Sequence, residues 1–289
     1  MSERALMPEM KKDDMRPASP EDFFQELEVA DVYLPVHTET SPVGPESRLV
    51  VYSDPRSAGA DRFRLLQMRL RNLRASRQLK LLLITSPEPG DGKTTVALNL
   101  AIALSERGKR PVLILEADVY RPTLTAKLGL GPWAGLTDCF ESGSDPMQAI
   151  RRIEPLGFYL LPAGSPVDDG SRILQSDYIS RLIKGVAATS FDWILIDSPP
   201  TTPVAEILSL RAQSDATLLV ARAQKTPREA IEESIRNLGR DHIAGIVLNE
   251  VEGLDTVYSH YYGYTNPEDR AKRQKSKGHQ GLGLKPYGR

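Results

Sequence analysis

Leu81-Leu82-Leu83-Ile84 is a short, wholly apolar run, and a second apolar stretch of helical composition runs from Val96 to Glu106. Between them lies Ser86-Pro87-Glu88-Pro89-Gly90-Asp91-Gly92-Lys93-Thr94-Thr95. A buried strand, a turn with two glycines, a lysine, a hydroxyl and a helix, in that order, make a phosphate-binding loop. Gly90 and Gly92 let the backbone bend so that its N–H groups converge on an anion. The N-terminus of the next helix adds partial positive charge there. Lys93 is placed to reach the β- and γ-phosphates of a nucleotide, and the Thr94 hydroxyl to hold Mg²⁺. Pro89, Gly90, Asp91, Gly92, Lys93, Thr94 and Thr95 are therefore the expected phosphate-binding residues. The strict pattern is not met, because its first glycine would fall on Pro87. The competing reading is an ordinary strand-to-helix turn with a surface lysine.

Two more segments bear on that choice. Val112-Leu113-Ile114-Leu115-Glu116-Ala117-Asp118 is an apolar strand ending in two carboxylates, and Trp193-Ile194-Leu195-Ile196-Asp197-Ser198-Pro199-Pro200 is another ending in one. Carboxylates at strand C-termini open into the crevice where α/β sheets bind ligands. Beside a triphosphate they can hold metal, directly or through water. Either acid alone would pass for a loop-start aspartate. Three strand ends of this kind favour a site for ATP or GTP with Mg²⁺.

From residue 79 the pattern alternates. Strands are expected near 80–85, 111–116, 158–162, 193–197, 216–221 and 244–249. Helices are expected near 60–78, 93–107, 172–189, 204–212 and 227–239. Continuous apolar strands such as Ala216 to Ala221 suit a parallel sheet buried on both faces. The expected fold class is α/β, a doubly wound, mostly parallel sheet of the P-loop NTPase type.

The 289 residues suffice for one large domain with tails. Residues 1–56 are acidic and rich in proline and are expected to be a mostly disordered arm. Residues 57–264 form the expected domain, and 265–289 a basic, flexible tail. The net charge of −1 hides an asymmetry: residues 60–80 carry 7 Lys/Arg against 1 Asp/Glu, and residues 265–289 carry 7 against 2. Such patches read as solvated faces or subunit contacts rather than nucleic-acid surfaces. The single cysteine, Cys139, precludes an intrachain disulfide and fits a reducing cytoplasm. Four scattered histidines offer no zinc-ligand spacing. Neither a membrane-spanning run nor a secretory leader is evident, so membrane association is expected only through a partner.

Residues 258–264 read Tyr-Ser-His-Tyr-Tyr-Gly-Tyr. Tyr258, Tyr261, Tyr262 and Tyr264 either pack on the domain or are phenols on a tether that can enter a neighbour's nucleotide site. The nucleotide motifs upstream favour the second reading.

Taken together, these segments resemble the bacterial tyrosine kinases (BY-kinases), cytoplasmic components of capsule and exopolysaccharide systems related to MinD/ParA-type ATPases. The P-loop from Ser86 to Thr94, the strand end Ile196 to Pro200, and the later segments Leu218 to Thr226 and Gly245 to Asn249 match that family's motifs. The resemblance implies an autokinase that uses ATP and Mg²⁺ and modifies the Tyr258–Tyr264 cluster in trans. It implies Thr94, Asp118 and Asp197 around the metal, Lys93 on the phosphates, Glu116 as acceptor of the tyrosine proton, and Asn249 near adenine. It also implies a homo-oligomer, a membrane-embedded polysaccharide co-polymerase as partner, a cognate tyrosine phosphatase, and a cytoplasmic place beside the inner membrane. Two positions depart from the pattern: Glu116 stands where the family has Asp, and Tyr120 where it has Arg. On the helix that makes the family's subunit contacts, Asp61, Arg64 and Gln67 replace Glu, Arg and Arg. Two alternatives follow: a catalytically weakened nucleotide-binding scaffold of the same system, and a MinD/ParA-like positioning ATPase. The second lacks its usual support, because Glu88 occupies the place of that class's first lysine.

Overall fold

The computed structural model describes residues 36–44, 47–202 and 206–252. An eight-stranded sheet runs through it. The strands are β1 (His37–Thr40), β2 (Leu81–Thr85), β3 (Val112–Glu116), β4 (Arg151–Glu154), β5 (Phe158–Leu161), β6 (Trp193–Asp197), β7 (Ala216–Arg222) and β8 (Ile243–Asn249). Their order in space is β1-β4-β5-β3-β6-β2-β7-β8. All pairs are parallel except β4 with β5.

The expected alternation of strand and helix is borne out, and so is the doubly wound architecture. β2, β3 and β6 are buried at every residue, as strands covered on both faces must be. Alternate side chains serve two cores. Leu82, Ile84, Ile114 and Leu195 pack with Leu49 and with helices α2 (Ala58–Ser76) and α3 (Lys93–Ser105). Leu83, Leu115, Ile196 and Leu219 pack on the other face with α7 (Asp177–Ala188), α8 (Glu206–Ala212) and α9 (Arg228–Leu238). α3 buries eleven of its thirteen residues and has no polar stripe, because the sheet lies under it and α2 over it.

The sequence reading missed several short elements. β1 and the helical turn α1 (Val50–Ser53) fall inside the stretch expected to be an arm over 1–56. That limit must move toward the N-terminus: β1 pairs with β4, and Leu49 is fully buried. The reason is local composition. His37-Thr38-Glu39-Thr40 has no apolar alternation and is held at the sheet edge by backbone hydrogen bonds. β4, Arg151-Arg152-Ile153-Glu154, buries only Ile153. Two further helices, α4 (Leu124–Lys127) and α5 (Leu136–Ser142), were also unforeseen. The expected 172–189 helix is split into α6 (Ser171–Leu174) and α7. Residues 1–35, the tail 265–289 and all four tyrosines of the 258–264 cluster lie outside the described residues. Among the described residues no helix is long and apolar enough to cross a membrane.

Candidate functional site

Strand register brings the motifs together. Ile84 of β2 pairs with Asp197 of β6, and Asp197 with Glu116 of β3. On the other side of β2, β7 ends at Arg222, which pairs with Asn249 of β8. The loop 86–92 joins β2 to α3 at this same sheet edge, in the crevice beyond the strand C-termini.

Gly90 and Gly92 have φ of 88° and 95°, values that side chains of L-residues rarely adopt. A Cβ on Gly92 would also collide with the Asn249 amide. Gly92 caps the N-terminus of α3, whose first residues are Lys93-Thr94-Thr95. Pro89, Gly90, Gly92, Lys93, Thr94 and Thr95 all line one cavity of about 670 Å³, together with Asp118 and Asn249. The expected phosphate residues therefore share one space, except Asp91. Asp91 is buried and shapes the loop: its Oδ2 accepts from Glu88 N at 3.0 Å and its Oδ1 from the Thr226 hydroxyl at 2.7 Å.

Charge in the site is arranged around Lys93. Its Nζ lies 2.7 Å from Asp118 Oδ2. Burial works against its charge, but Asp197 and Asp118 outweigh that and hold the ammonium above the usual lysine range. Asp197 is buried, and neither carboxylate oxygen has a hydrogen-bond donor at normal geometry. Burial pushes its pKa up to about 7, with Lys93 and the Thr94 hydroxyl pulling it down. An orphaned buried carboxylate beside a hydroxyl is a hard oxygen donor set of the kind Mg²⁺ takes. The residues therefore fit that ion. Among the described residues no three His, Cys, Asp or Glu side chains gather around one point. A Mg²⁺ here would draw its other ligands from phosphate and water.

Glu116 does not sit where the resemblance implied. Its Oε1 accepts from Thr123 N at 2.7 Å and Leu124 N at 2.8 Å, and its Oε2 from Ala163 N at 3.0 Å. Like Asp197, it is 1% exposed and does not line the cavity, but unlike Asp197 its carboxylate is fully engaged by backbone N–H groups. Burial raises its pKa, against the pull of the three N–H groups. This geometry holds the start of α4 and the end of β5 against β3, and leaves the carboxylate ill placed to take a proton from a substrate. Asn249 likewise is engaged: its Nδ2 donates to Asp91 O at 2.9 Å.

Other residues of the site carried no local signal. Tyr120 lines the cavity and donates its hydroxyl to Glu206 Oε1 at 2.9 Å. Burial and that carboxylate push the phenol up to about 12. Val50 and Phe63, both apolar, also line the cavity, as do Arg48 and Glu250. Arg48 and Arg222 both pair with Glu250. The Asn99 side chain pins the 48–51 segment through Arg48 O and Val51 N. These contacts join residues from 28 to 202 positions apart, beyond any window of sequence periodicity.

Comparison with known proteins agrees with this geometry. A family model described as ParA: NUBPL iron-transfer P-loop NTPase matches residues 78–256. Tyrosine-protein kinase YwqD of Bacillus subtilis is 26% identical over 226 residues, 78% of this chain and 93% of that protein. Succinoglycan biosynthesis transport protein ExoP of Rhizobium meliloti is 27% identical over 219 residues, 74% of this chain. The chain spans only 28% of that longer relative. Among solved structures, the kinase domain of Escherichia coli tyrosine kinase ETK superposes with a TM-score of 0.66 at 23% identity, covering 70% of this chain and 80% of that one. The resemblance read from the motifs is therefore borne out: the chain's relatives carry the name of bacterial tyrosine kinases.

Proposed function

Since the chain belongs to the ParA family of P-loop NTPases, we propose that it is an ATP-dependent protein-tyrosine kinase acting in an exopolysaccharide system. One observation carries this reading: Lys93 and Thr94, the first residues of α3, line the cavity beside the Gly90–Gly92 turn, and the buried, orphaned Asp197 carboxylate lies next to both of them. Such an array is suited to a phosphoryl group and its metal.

The amides of the turn and the α3 N-terminus hold the β-phosphate. Lys93 leaves Asp118 for the phosphate oxygens and neutralises charge that gathers there during transfer. Thr94 and Asp197 would hold Mg²⁺, with Asp118 aiding through water, and the ion would supply positive charge against the phosphoryl oxygens. Val50 and Phe63 offer an apolar slot for the base. The acceptor is a phenol of the Tyr258–Tyr264 cluster, presented by a neighbouring copy. With Glu116 spent on backbone N–H groups and Glu250 paired with two arginines, Asp118, beside Lys93 on the cavity surface, is the carboxylate that can assist the phenol's loss of its proton. Each phosphotyrosine adds about −1.5 to −2 charge, which favours separation of copies held together by contacts around the tail.

The relative named as a succinoglycan transport protein supports a polysaccharide system as the setting. The partner proposed is a membrane-embedded co-polymerase, which would keep this chain at the inner face of the membrane.

A second reading, a nucleotide-binding scaffold without kinase activity, draws on the Tyr120–Glu206 bond and the engaged Glu116. Purified chain is incubated with Mg-ATP, alone and with the partner's cytoplasmic fragment, beside Lys93→Met, and phosphotyrosine is mapped by mass spectrometry. Phosphate on Tyr258, Tyr261, Tyr262 or Tyr264 in the wild type alone is the expected result. Nucleotide binding without phosphotyrosine in either mixture favours the scaffold. Phosphate release without phosphotyrosine favours a positioning ATPase.

A further inference from the structure

The loop from Ser86 to Gly92 lacks the first glycine of the strict phosphate-loop pattern, with prolines at 87 and 89 instead. Prolines restrict their own φ and that of the residue before, and they lack the N–H that could donate a hydrogen bond within the loop. Ser86 Oγ donates to Glu88 O at 2.8 Å inside the loop, and the rest of the hold on the tip comes from outside. Asp91, 3% exposed, is its anchor, and two groups beyond the loop hold it.

The first is Thr226. Its Oγ1 accepts from Arg222 N at 2.7 Å and donates to Asp91 Oδ1 at 2.7 Å. A hydroxyl has one proton, so with the Arg222 N–H already pointing at its oxygen, that proton is committed to Asp91. The turn that carries Thr226 is itself tight: Thr226 N and Lys225 N both bond Arg222 O, and Gln224 takes a φ of 61°. The second is Asn249. Its Nδ2 donates to Asp91 O at 2.9 Å, against the face of Gly92 that a Cβ would fill. The two are joined to each other, since Ala223 N bonds Asn249 O at 2.8 Å. The ends of β7 and β8 thus form one hydrogen-bonded unit gripping both the side chain and the backbone of Asp91. Asp91 in turn holds Glu88 N.

We propose that Thr226 and Asn249 are positioning residues that set the phosphate-binding loop in its receptive shape before ligand arrives, with Asp91 as the point they hold. This rests on reading the cavity as a nucleotide site. In a preorganised site the donors spend nothing on ordering when the anion binds. Loss of the Thr226 hold therefore weakens nucleotide binding without removing a group that lines the cavity, whereas Asn249 lines it as well, so its positioning role is read from the loop's exchange in the nucleotide-free state. It also links the β7–α9 turn to the loop, so that a change at the turn alters affinity at the phosphates.

The test uses the full chain with two readouts. One is amide hydrogen exchange at residues 88–92 in the nucleotide-free state. The other is Mg-ADP affinity by calorimetry. Thr226→Val keeps the shape but removes the donor; Thr226→Ser keeps the donor. Asn249→Asp is isosteric and turns an oxygen toward Asp91 O. Supporting groups around a site are typically worth roughly 10- to 100-fold in ligand affinity. Thr226→Val and Asn249→Asp are expected to weaken Mg-ADP by at least tenfold and to speed exchange at Glu88, while Thr226→Ser stays within about twofold of wild type. Wild-type affinity and wild-type exchange in Thr226→Val and Asn249→Asp overturn the proposal. Should Thr226→Val not fold, Asn249→Asp decides by exchange at residues 88–92 in the nucleotide-free state, which direct contact with the ligand cannot move. If the wild type binds no Mg-ADP, the nucleotide reading falls, and exchange alone decides: faster exchange in the variants upholds the positioning role, and unchanged exchange overturns it.

Discussion

The Tyr120 hydroxyl donates to Glu206 Oε1 at 2.9 Å and so ties the loop after β3 to the first residue of α8. The ring sits over Gly170, where a Cβ would strike it. Tyr120→Phe keeps the ring and leaves a buried carboxylate oxygen without its donor. A stability loss of about 1–2 kcal/mol is expected, read as a fall in Tm of roughly 2–4 °C per kcal/mol for a chain of this size. Thermal unfolding by circular dichroism measures it. An unchanged Tm would mean the bond carries no net weight.

Lys93 keeps Asp118 and Asp197 from facing each other without a counter-charge. Lys93→Met removes the cation while filling its space. At pH 8 the nucleotide-free protein is expected to lose about 3 kcal/mol, as when one partner of a buried pair is deleted. The loss shrinks toward pH 4, as Asp197, which burial raises to about 7, takes up its proton. Urea titrations at the two pH values make the comparison. The same variant is expected to bind no ATP measurably.

Asp197 works in the opposite direction. Its folded-state pKa, about 7, is above the ordinary aspartate value. An acid raised on folding binds more protons in the native state, so it costs stability as pH rises from about 4 to 7 and costs it in full above that. Asp197→Asn is therefore expected to stabilise the magnesium-free protein at pH 8, by an amount on the order of 4 kcal/mol at most. The gain fades as pH falls and vanishes below about pH 4. It is also expected to lose magnesium-dependent nucleotide affinity. A variant no more stable than wild type at pH 8 would contradict the buried, unpartnered carboxylate.

Glu116→Gln keeps an acceptor for Thr123 N and Leu124 N but turns an amide N–H₂ toward Ala163 N. An unsatisfied buried donor pair should lower stability by about 1–3 kcal/mol. If Glu116 only holds the loops, the fraction that remains folded phosphorylates tyrosine within about tenfold of wild type, since a lost general base costs roughly 10²–10⁴-fold. Single-turnover rates with Mg-ATP, corrected for folded fraction, separate the two roles.

Much of the site was legible because it is built from contiguous residues. The loop 86–95 announces itself through glycine, lysine and hydroxyl between two apolar runs. The strand ends at Glu116, Asp118 and Asp197 announce themselves as acids terminating buried strands. What could not be read is how those side chains are employed. Glu116 and Asp197 look alike in sequence, each an acid after four apolar residues. In the fold one is saturated by three backbone N–H groups and the other has none. Asn249, expected near the base, lines the cavity and also donates to Asp91 O, a bond the sequence did not show.

The sequence alone determined the αβ alternation, the parallel sheet and the phosphate loop, because each follows from local chain chemistry: apolar period, glycine conformations, and the polarity of strand ends. The tertiary structure alone decided that β1 and α1 join the domain, that Tyr120 answers Glu206, and that Thr226 and Asn249 meet Asp91. Those outcomes depend on hydrogen bonds between loops and element ends that meet in space, 130 or more residues apart along the chain in the cases of Thr226 and Asn249. A donor's partner is set by where the sheet order places it, and sheet order is a property of the whole packed chain.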